Sequence, residues 1–187
     1  MSTSALKELV ARVALNEDSA AYKKLFLHYY PKLLSFSYAI THCKESSEEV
    51  VSDVLLNIWN ARKTLLRIDN FHLYLYVSTK NISLNYLARQ KREQVFSLDD
   101  VKTELKSLYF DPEQLMITAE MFRRICAAVQ ELPPRCQLIF KLVKEDNLRY
   151  KEVAELLHLS VKTVEAQMSI ALRKLGTSIT FFEPSLS

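Results

Sequence analysis

The chain has 187 residues, of which 49% are hydrophobic and 25% are charged, values that suit a globular protein with a substantial core. It contains a single glycine, whereas P-loop and dinucleotide-binding fingerprints need at least two, so both are excluded. β-Hairpins also rely on glycine at positive φ, and the composition therefore predicts an all-α fold. The net charge of +3 is too small to indicate nucleic-acid binding, so only the distribution of charge is informative.

The remaining composition argues against an enzyme, a metal protein or a membrane protein. The three cysteines, Cys43, Cys126 and Cys136, are odd in number and far apart, and the last two have the apolar neighbours of buried thiols. The histidines show no ligand spacing and no catalytic triad stands out. No secretory signal or long apolar run is present. We expect a cytoplasmic protein without enzymatic activity, cofactor, metal, small-molecule substrate or membrane insertion.

The N-terminal half shows helical periodicity in successive blocks. Apolar stripes occur at 6–13 and 22–29, and Pro31 is expected to interrupt the second or to open the next helix. Ser46 and Glu49 predict a capping box, with Ser46 as N-cap. The helix that follows has six apolar side chains on one half, and after a loop of about ten residues the span 71–92 is helical again. The apolar residues before that loop are Val50, Val51, Val54, Leu55, Ile58 and Trp59.

The middle of the chain predicts a boundary between domains. Residues 93–111 contain five acidic and two basic residues with poor periodicity, as in a flexible linker. Asp111 and Pro112 then restart a helix that should reach Leu132, where two prolines stop it. Gly176 lies where a left-handed C-cap is expected. The sequence therefore predicts two small helical domains, at 1–92 and 112–187, joined by the linker.

The segment 150–175 predicts a helix-turn-helix. One helix ends near Leu157, and Ser160 is the N-cap of a second helix. On a helical wheel, one side of the second helix collects the apolar residues Val161, Val164, Met168, Ala171, Leu172 and Leu175. The other side mixes bases, hydroxyls and small apolar groups, which suits a DNA major groove. Lysine and arginine residues that precede the helix-turn-helix, at 135–151, favour contact with the phosphate backbone of DNA. The residues expected at DNA are Arg149, Lys151, Ser160, Lys162, Thr163, Ala166, Ser169 and Arg173.

Two charged faces distinguish the N-terminal half. The helix that includes Asp53 has an acidic outer side with a leucine in its middle, which is typical of a docking surface but is also compatible with an ordinary solvated face. Residues 61–92 contain seven bases and one acid. Aromatic, amide and basic groups share one side of the helix 71–92, a mixture that suits nucleic acid with unstacked bases. That side carries Tyr74, Ser78, Asn81, Asn85, Arg89 and Arg92.

The sequence also resembles a known family, the extracytoplasmic-function (ECF) group of bacterial RNA polymerase sigma factors, over about residues 20–176. The segments that carry the resemblance are FLHYYPKLLSFSY, SSEEVVSDVLLNIW, YLYVSTKNISLNYLAR, ELPPRCQLIFKLV and YKEVAELLHLSVKTVEAQMSIALRKL. The last two are the most specific, because LPPRC followed by this helix-turn-helix is close to the group's usual wording. The chain departs from the family at Ser52, Leu55, Asn85 and Ala88, where glutamine, phenylalanine, aspartate and arginine are frequent.

The resemblance implies a role for each surface. The domain 1–92 would bind the clamp helices of core RNA polymerase through Glu48, Glu49, Ser52, Asp53 and Leu56. It would capture the −10 promoter element through Asn70, Phe71, Tyr74, Ser78, Asn81, Asn85, Arg89 and Arg92. The domain 112–187 would bind the −35 element of promoter DNA in the major groove, and the linker 93–111 would run near the RNA exit path. An anti-sigma factor is a further expected partner.

One alternative remains open at this stage. A helix-turn-helix regulator with an N-terminal sensing domain would explain the C-terminal half of the chain. It would leave the basic segment 61–92 and the acidic helix without a role. Binding to core polymerase distinguishes the two hypotheses, because a regulator should bind duplex DNA alone and ignore the polymerase.

Overall fold

The structure is a computed structural model that describes residues 1–90 and 119–180, with side-chain surroundings for 1–89 and 124–177. The described residues form helices and contain no strand, which confirms the all-α prediction. The chain divides into two compact units, Met1–Phe96 and Ser97–Ser187, which we call the N-terminal and C-terminal units. The predicted linker 93–111, the helix start at Asp111 and the site residue Arg92 lie outside the described residues.

Four α-helices and a short 3₁₀ helix build the N-terminal unit. The helices are α1 (Thr3–Asn16), α2 (Ser19–Thr41), α3 (Lys44–Asn60) and α4 (Phe71–Gln90), and the 3₁₀ helix spans Arg62–Arg67. Helices α2, α3 and α4 pack against one another, and α1 packs on α2 and the 3₁₀ helix. Their common core contains large side chains that are almost fully buried, among them Tyr29, Leu33, Phe36, Leu75 and Tyr76.

Two expected helix boundaries in this unit are wrong. Helix α2 continues through Pro31, which is exposed on the outside of the helix. Proline removes the bond to the carbonyl of Leu27, and because Leu27 is also exposed, water can solvate that side of the helix. Helix α3 begins at Lys44 rather than after Ser46, which is buried within its first turns. The hydroxyl of Ser47 donates instead to the carbonyl of Cys43 at 2.7 Å.

Four described helices build the C-terminal unit. They are α5 (Ala119–Gln130), α6 (Pro134–Lys144), α7 (Tyr150–Leu157) and α8 (Val161–Thr180). Pro134 occupies the first position of α6, where an N–H would have no partner within the helix. Gly176 is not a left-handed cap: it lies inside α8, and the described glycine has no positive φ. Helix α8 packs against α5, α6 and α7.

Candidate polymerase and nucleic-acid interfaces

The outer side of α3 presents the residues predicted to dock on the polymerase. The inner side of the helix is fixed by Val50, Val51 and Val54, which are at most 1% exposed. Helical geometry then turns the intervening positions outward. Of the predicted residues, Glu48 is half-buried, and Glu49, Ser52, Asp53 and Leu56 are exposed. We call these five residues the α3 acidic face.

Some polar side chains of the α3 acidic face are engaged in hydrogen bonds or ion pairs within the helix, and others are exposed. The hydroxyl of Ser52 donates to the carbonyl of Glu48 at 2.7 Å, so it is engaged within the helix. Lys44 Nζ lies 3.7 Å from Glu48 Oε1 in an exposed ion pair. Glu49 and Asp53, one turn apart, are both exposed, and Leu56 is 55% exposed on the next turn. The face therefore offers two carboxylates beside an exposed apolar side chain.

One side of α4 presents the residues predicted for the −10 element. Tyr74 is 40% exposed, Ser78 is half-buried, and Asn81, Asn85 and Arg89 are exposed. The opposite side buries Leu73, Leu75 and Tyr76 in the core of the unit. An aromatic ring, two amides and a guanidinium thus follow one another along the accessible side of a single helix. Such a side can stack on bases, bond base edges and hold a phosphate.

Two predicted −10 contacts at the start of α4 have structural roles. The side chain of Asn70 accepts a hydrogen bond from the amide of Leu73 at 3.1 Å, so it caps the helix. Phe71 is only 7% exposed, and its ring lies 6.2 Å from that of Tyr29 in an edge-on arrangement. The apolar ring of Phe71 therefore belongs to the core, and its expected contact with DNA stays a prediction.

A groove between α3 and α4 brings the acidic and basic faces together. It has a volume of about 450 Å³. Sequence reasoning treated the two faces separately and did not single out Ile82 and Tyr86, which lie one turn apart at the boundary between the exposed side of α4 and the core. The groove is lined by Glu49, Asp53, Ile82, Asn85, Tyr86 and Arg89.

The turn between α7 and α8 has the geometry of a helix-turn-helix. His158 adopts the left-handed conformation with φ 54°, and the amide of Leu159 donates to the carbonyl of Ala154 at 2.8 Å. Ser160 is the predicted N-cap, since its hydroxyl accepts from the amide of Thr163 at 3.0 Å. At the start of α7, the carboxylate of Glu152 accepts from the backbone amide of Arg149 at 2.7 Å. These bonds fix where each helix begins.

The outer side of α8 carries the residues predicted for the −35 element. Val164, Met168 and Ala171 are at most 1% exposed and hold the helix against the unit's core. The hydroxyl of Ser169 donates to the carbonyl of Glu165 at 2.9 Å, so its exposed oxygen can still accept a hydrogen bond. Thr163 is half-buried. The exposed members of the predicted set are Arg149, Lys151, Ser160, Lys162, Ala166, Ser169 and Arg173.

Two charge and packing assignments in the C-terminal unit are corrected by the structure. Leu172 was placed on the inner side of α8, yet it is 48% exposed, because the buried stripe runs through Met168, Ala171 and Leu175. Lys141, counted among the upstream bases, is buried and its ammonium lies 3.1 Å from Asp146 Oδ2. A lysine held in this way cannot reach a phosphate.

Three features of the described residues bear on membrane insertion, metal binding and cysteine reactivity. None of the described helices is long and apolar enough to cross a membrane. Within the same residues, no cluster of three or more His, Cys, Asp or Glu side chains has the arrangement of a metal site. Cys136 is buried, with its thiol 3.2 Å from the carbonyl of Gln167, while Cys126 is half-buried. Burial raises the pKa of both thiols, which disfavours the reactive thiolate.

Comparison with known proteins matches both units. A family model for sigma-70 region 2 matches residues 25–93, and one for sigma-70 region 4 matches residues 122–175. The ECF RNA polymerase sigma-E factor of Escherichia coli K12 is 26% identical over 170 residues, 86% of each chain. The RNA polymerase sigma factor YlaC of Bacillus subtilis is 20% identical over 156 residues, 83% of this chain and 90% of the relative.

Solved structures share the fold. CnrH, in complex with the cytosolic domain of CnrY, has a TM-score of 0.50 at 19% identity and covers 95% of this chain and 99% of its own. The sigma factor RpoE of Bartonella quintana, in complex with the anti-sigma factor NepR, has a TM-score of 0.51 at 15% identity and covers 86% and 98%. At these identities the likeness concerns the fold alone.

A helical unit with an exposed acidic helix and a second unit with a helix-turn-helix define a transcription factor of the sigma-70 type. The region 2 and region 4 matches together span more than half of the chain, and the named relatives are sigma factors. The chain belongs to the ECF group of RNA polymerase sigma factors. It binds core RNA polymerase, recognises the −10 and −35 elements of promoter DNA and promotes initiation. Sigma factors as a class are not enzymes.

Proposed function

We propose that the polymerase, −10 and −35 interfaces of the sigma factor reside on the three faces described above. Residues 1–92 form the domain that binds core polymerase and the −10 element, residues 112–187 form the domain that binds the −35 element, and residues 93–111 connect them. The α3 acidic face docks on the polymerase, the exposed side of α4 captures the −10 strand, and the exposed side of α8 enters the −35 major groove.

The observation that carries this assignment is the separation of two chemically different exposed faces on two compact units. Glu49 and Asp53 are exposed on the N-terminal unit, whereas Lys162 and Arg173 are exposed on the C-terminal unit. Carboxylates favour a basic protein surface and repel DNA phosphates. The polymerase contact and the upstream promoter contact therefore fall on different units, and substitutions should separate them.

The exposed side of α4 is suited to an unpaired strand rather than to a duplex. Tyr74 offers a ring on which a base can stack, and Asn81 and Asn85 offer amides that can bond base edges. The faces of the bases and their Watson–Crick edges are accessible only after the strands part, because stacking and pairing hide them in a duplex. Arg89 follows on the same side and supplies a charge for the phosphate backbone. This side of α4 therefore acts after the polymerase has been placed at the promoter.

The exposed side of α8 is suited to an intact major groove. Its hydroxyl and small apolar groups can approach the edges of nucleobases and thymine methyls. The basic side chains at both ends of this side can bind guanine or phosphate. The N-terminus of α8 at Ser160 adds backbone amides toward a phosphate. Arg149 and Lys151, exposed at the start of α7, extend the contact along the backbone.

The test uses two double variants with opposite expected losses. Glu49→Lys with Asp53→Lys should abolish co-elution with core polymerase on a sizing column. Lys162→Ala with Arg173→Ala should keep co-elution and weaken holoenzyme binding to a promoter by about tenfold or more, since each base contact contributes about 1–3 kcal/mol. The matched controls are Glu8→Lys, an exposed acid on α1, and Lys23→Ala with Lys24→Ala, two exposed bases on α2.

The outcome decides the assignment directly. If both double variants lost polymerase equally, the faces would be assigned wrongly. If Glu8→Lys lost polymerase as fully as the α3 double variant, net charge rather than the α3 acidic face would determine docking. If the α2 control lost promoter binding as strongly as the α8 variant, the −35 assignment would fail.

Three further properties belong to the same proposal. The chain acts in the cytoplasm and carries out no bond chemistry, so the purified protein alone should not hydrolyse nucleoside triphosphates. An anti-sigma factor holds it inactive, a proposal supported by the Bartonella quintana RpoE, which is in complex with the anti-sigma factor NepR. Such a partner should prevent co-elution of the chain with core polymerase. A partner that bound the chain and left holoenzyme formation unchanged would contradict this part of the proposal.

A further inference from the structure

A buried tyrosine joins α2 to the first turn of α4. Tyr29 is 1% exposed, and its hydroxyl lies 3.1 Å from Nδ1 of His72. The two rings are 5.6 Å apart, and the ring of His72 also lies 5.3 Å from that of Tyr76. Burial raises the pKa of Tyr29, so its hydroxyl stays protonated and can donate to Nδ1 or accept from it, according to the tautomer of His72. The contact is therefore a directional hydrogen bond.

This contact lies directly beneath the start of the −10 surface. His72 is the second residue of α4, and the exposed ring of Tyr74 follows two positions later. The residues just before the helix, Asp69 and Asn70, form the turn that leads into it. The position of His72 thus sets the position of both the turn and Tyr74.

The first turn of a helix needs such support, because its amides have no partner within the helix. Asn70 satisfies one of them by accepting from Leu73. That cap fixes the backbone locally but does not attach the turn to another helix. The ring of Phe71 against Tyr29 and the Tyr29–His72 hydrogen bond provide the attachment to α2. Of these two, only the hydrogen bond is directional.

We propose that Tyr29 and His72 are positioning residues for capture of the −10 strand, through a hydrogen bond that holds the first turn of α4 in register with α2. Neither residue belongs to the predicted DNA-binding set. The inference rests on the proposed −10 role of α4. It adds that the precision of this surface comes from a buried link to a helix that does not itself carry the contacts.

Helix α2 provides a matched control that does not involve α4. The half-buried Tyr22, two turns before Tyr29, donates its hydroxyl to the carbonyl of Leu55 in α3 at 2.8 Å. Tyr29→Phe and Tyr22→Phe each delete one tyrosine hydroxyl that joins α2 to a neighbouring helix. They differ in whether that neighbouring helix carries the −10 contacts.

The experiment measures holoenzyme affinity for a single-stranded oligonucleotide that carries the non-template −10 sequence of a promoter selected from random DNA. Tyr29→Phe should weaken this affinity about fivefold, the effect of one net hydrogen bond, while co-elution with core polymerase is unchanged. Tyr22→Phe should bind the oligonucleotide as the wild type does, although both variants lower the unfolding midpoint. His72→Asn, which keeps a polar group near the Nδ1 position, should bind better than His72→Phe.

Equal oligonucleotide affinities for Tyr29→Phe and Tyr22→Phe would overturn the inference, because the Tyr29 hydroxyl would then contribute only to stability. Equal affinities for His72→Asn and His72→Phe would overturn it as well. A failure of the proposed −10 role is distinguishable. In that case Asn85→Ala with Arg89→Ala, on the exposed side of α4, would also leave the affinity unchanged.

Discussion

A buried charge cluster in the C-terminal unit gives the sharpest prediction about stability. The side chains of Lys141, Glu145 and Asp146 are 5%, 7% and 1% exposed. The lysine Nζ lies 3.1 Å from Asp146 Oδ2 and 3.6 Å from Glu145 Oε2. The cluster closes the turn after α6, where the amides of Glu145 and Asp146 both donate to the carbonyl of Lys141.

Lys141→Met tests this cluster with little change in packing volume. Methionine retains most of the aliphatic stem, so the difference isolates the ammonium. Removing one partner of a buried ion pair costs about 3–5 kcal/mol, because the remaining charge stays buried. Glu145→Gln is the matched control, since it keeps the shape of the side chain and leaves the lysine opposite Asp146. We expect Glu145→Gln to lower the free energy of unfolding of the C-terminal unit by about 1 kcal/mol or less.

The assay is urea unfolding followed by far-ultraviolet circular dichroism and by fluorescence. Trp59 is the sole tryptophan of the chain and lies in the N-terminal unit, so fluorescence serves as an internal control. The two units must be fitted as separate transitions. Lys141→Met should shift only the transition of the C-terminal unit. A loss below about 1 kcal/mol, or a loss equal to that of Glu145→Gln, would refute the assignment of the ion pair.

Three further predictions follow from single contacts. Gly176→Ala should stabilise the C-terminal unit by about 0.5–1 kcal/mol in urea unfolding, because the glycine lies inside α8 and an added Cβ meets nothing within 4 Å; a loss would contradict its helical placement. The Ala21 amide and the Arg12 guanidinium lower the pKa of Asp18 from its usual 3.8. Asp18 therefore makes its full contribution to the free energy of unfolding at pH values above its usual pKa, and this contribution is lost as the pH falls through the lowered pKa. The difference in urea midpoint between wild type and Asp18→Ala should be constant from about pH 7 to 5 and should shrink near pH 3. Arg149→Ala with Lys151→Ala should reduce the slope of log affinity against log salt, measured for holoenzyme on promoter DNA, by about 2; an unchanged slope would exclude phosphate contacts there.

Sequence patterns predicted the helices and their buried sides well where the signal was periodic. The inner side of α3 and the two helices of the helix-turn-helix were confirmed, because apolar spacing decides which side of a helix faces a core. The N-cap at Ser160 was also confirmed, since its hydroxyl bonds an amide within the same turn. Features that depend on neighbours a few residues away can therefore be predicted from the sequence.

Features that depend on tertiary contacts could not be predicted from the sequence. The first turns of α3 are stabilised by a buried network in which the hydroxyls of Thr41 and Ser47 lie 2.7 Å apart, so the local capping signal at Ser46 did not mark the helix start. Lys141 counted as a surface base because its partner Asp146 lies across a turn that the pattern does not resolve. Phe71 looked like part of an exposed loop, yet it packs on Tyr29 of a distant helix.

Run-off transcription with purified core RNA polymerase on a promoter selected from random DNA, with and without the chain, measures directly whether the chain directs a core polymerase to a promoter. We expect a transcript of defined length that appears only when the chain is present and disappears with Glu49→Lys and Asp53→Lys. Transcript yield that did not depend on the chain, or that survived this double variant in full, would contradict the sigma-factor role.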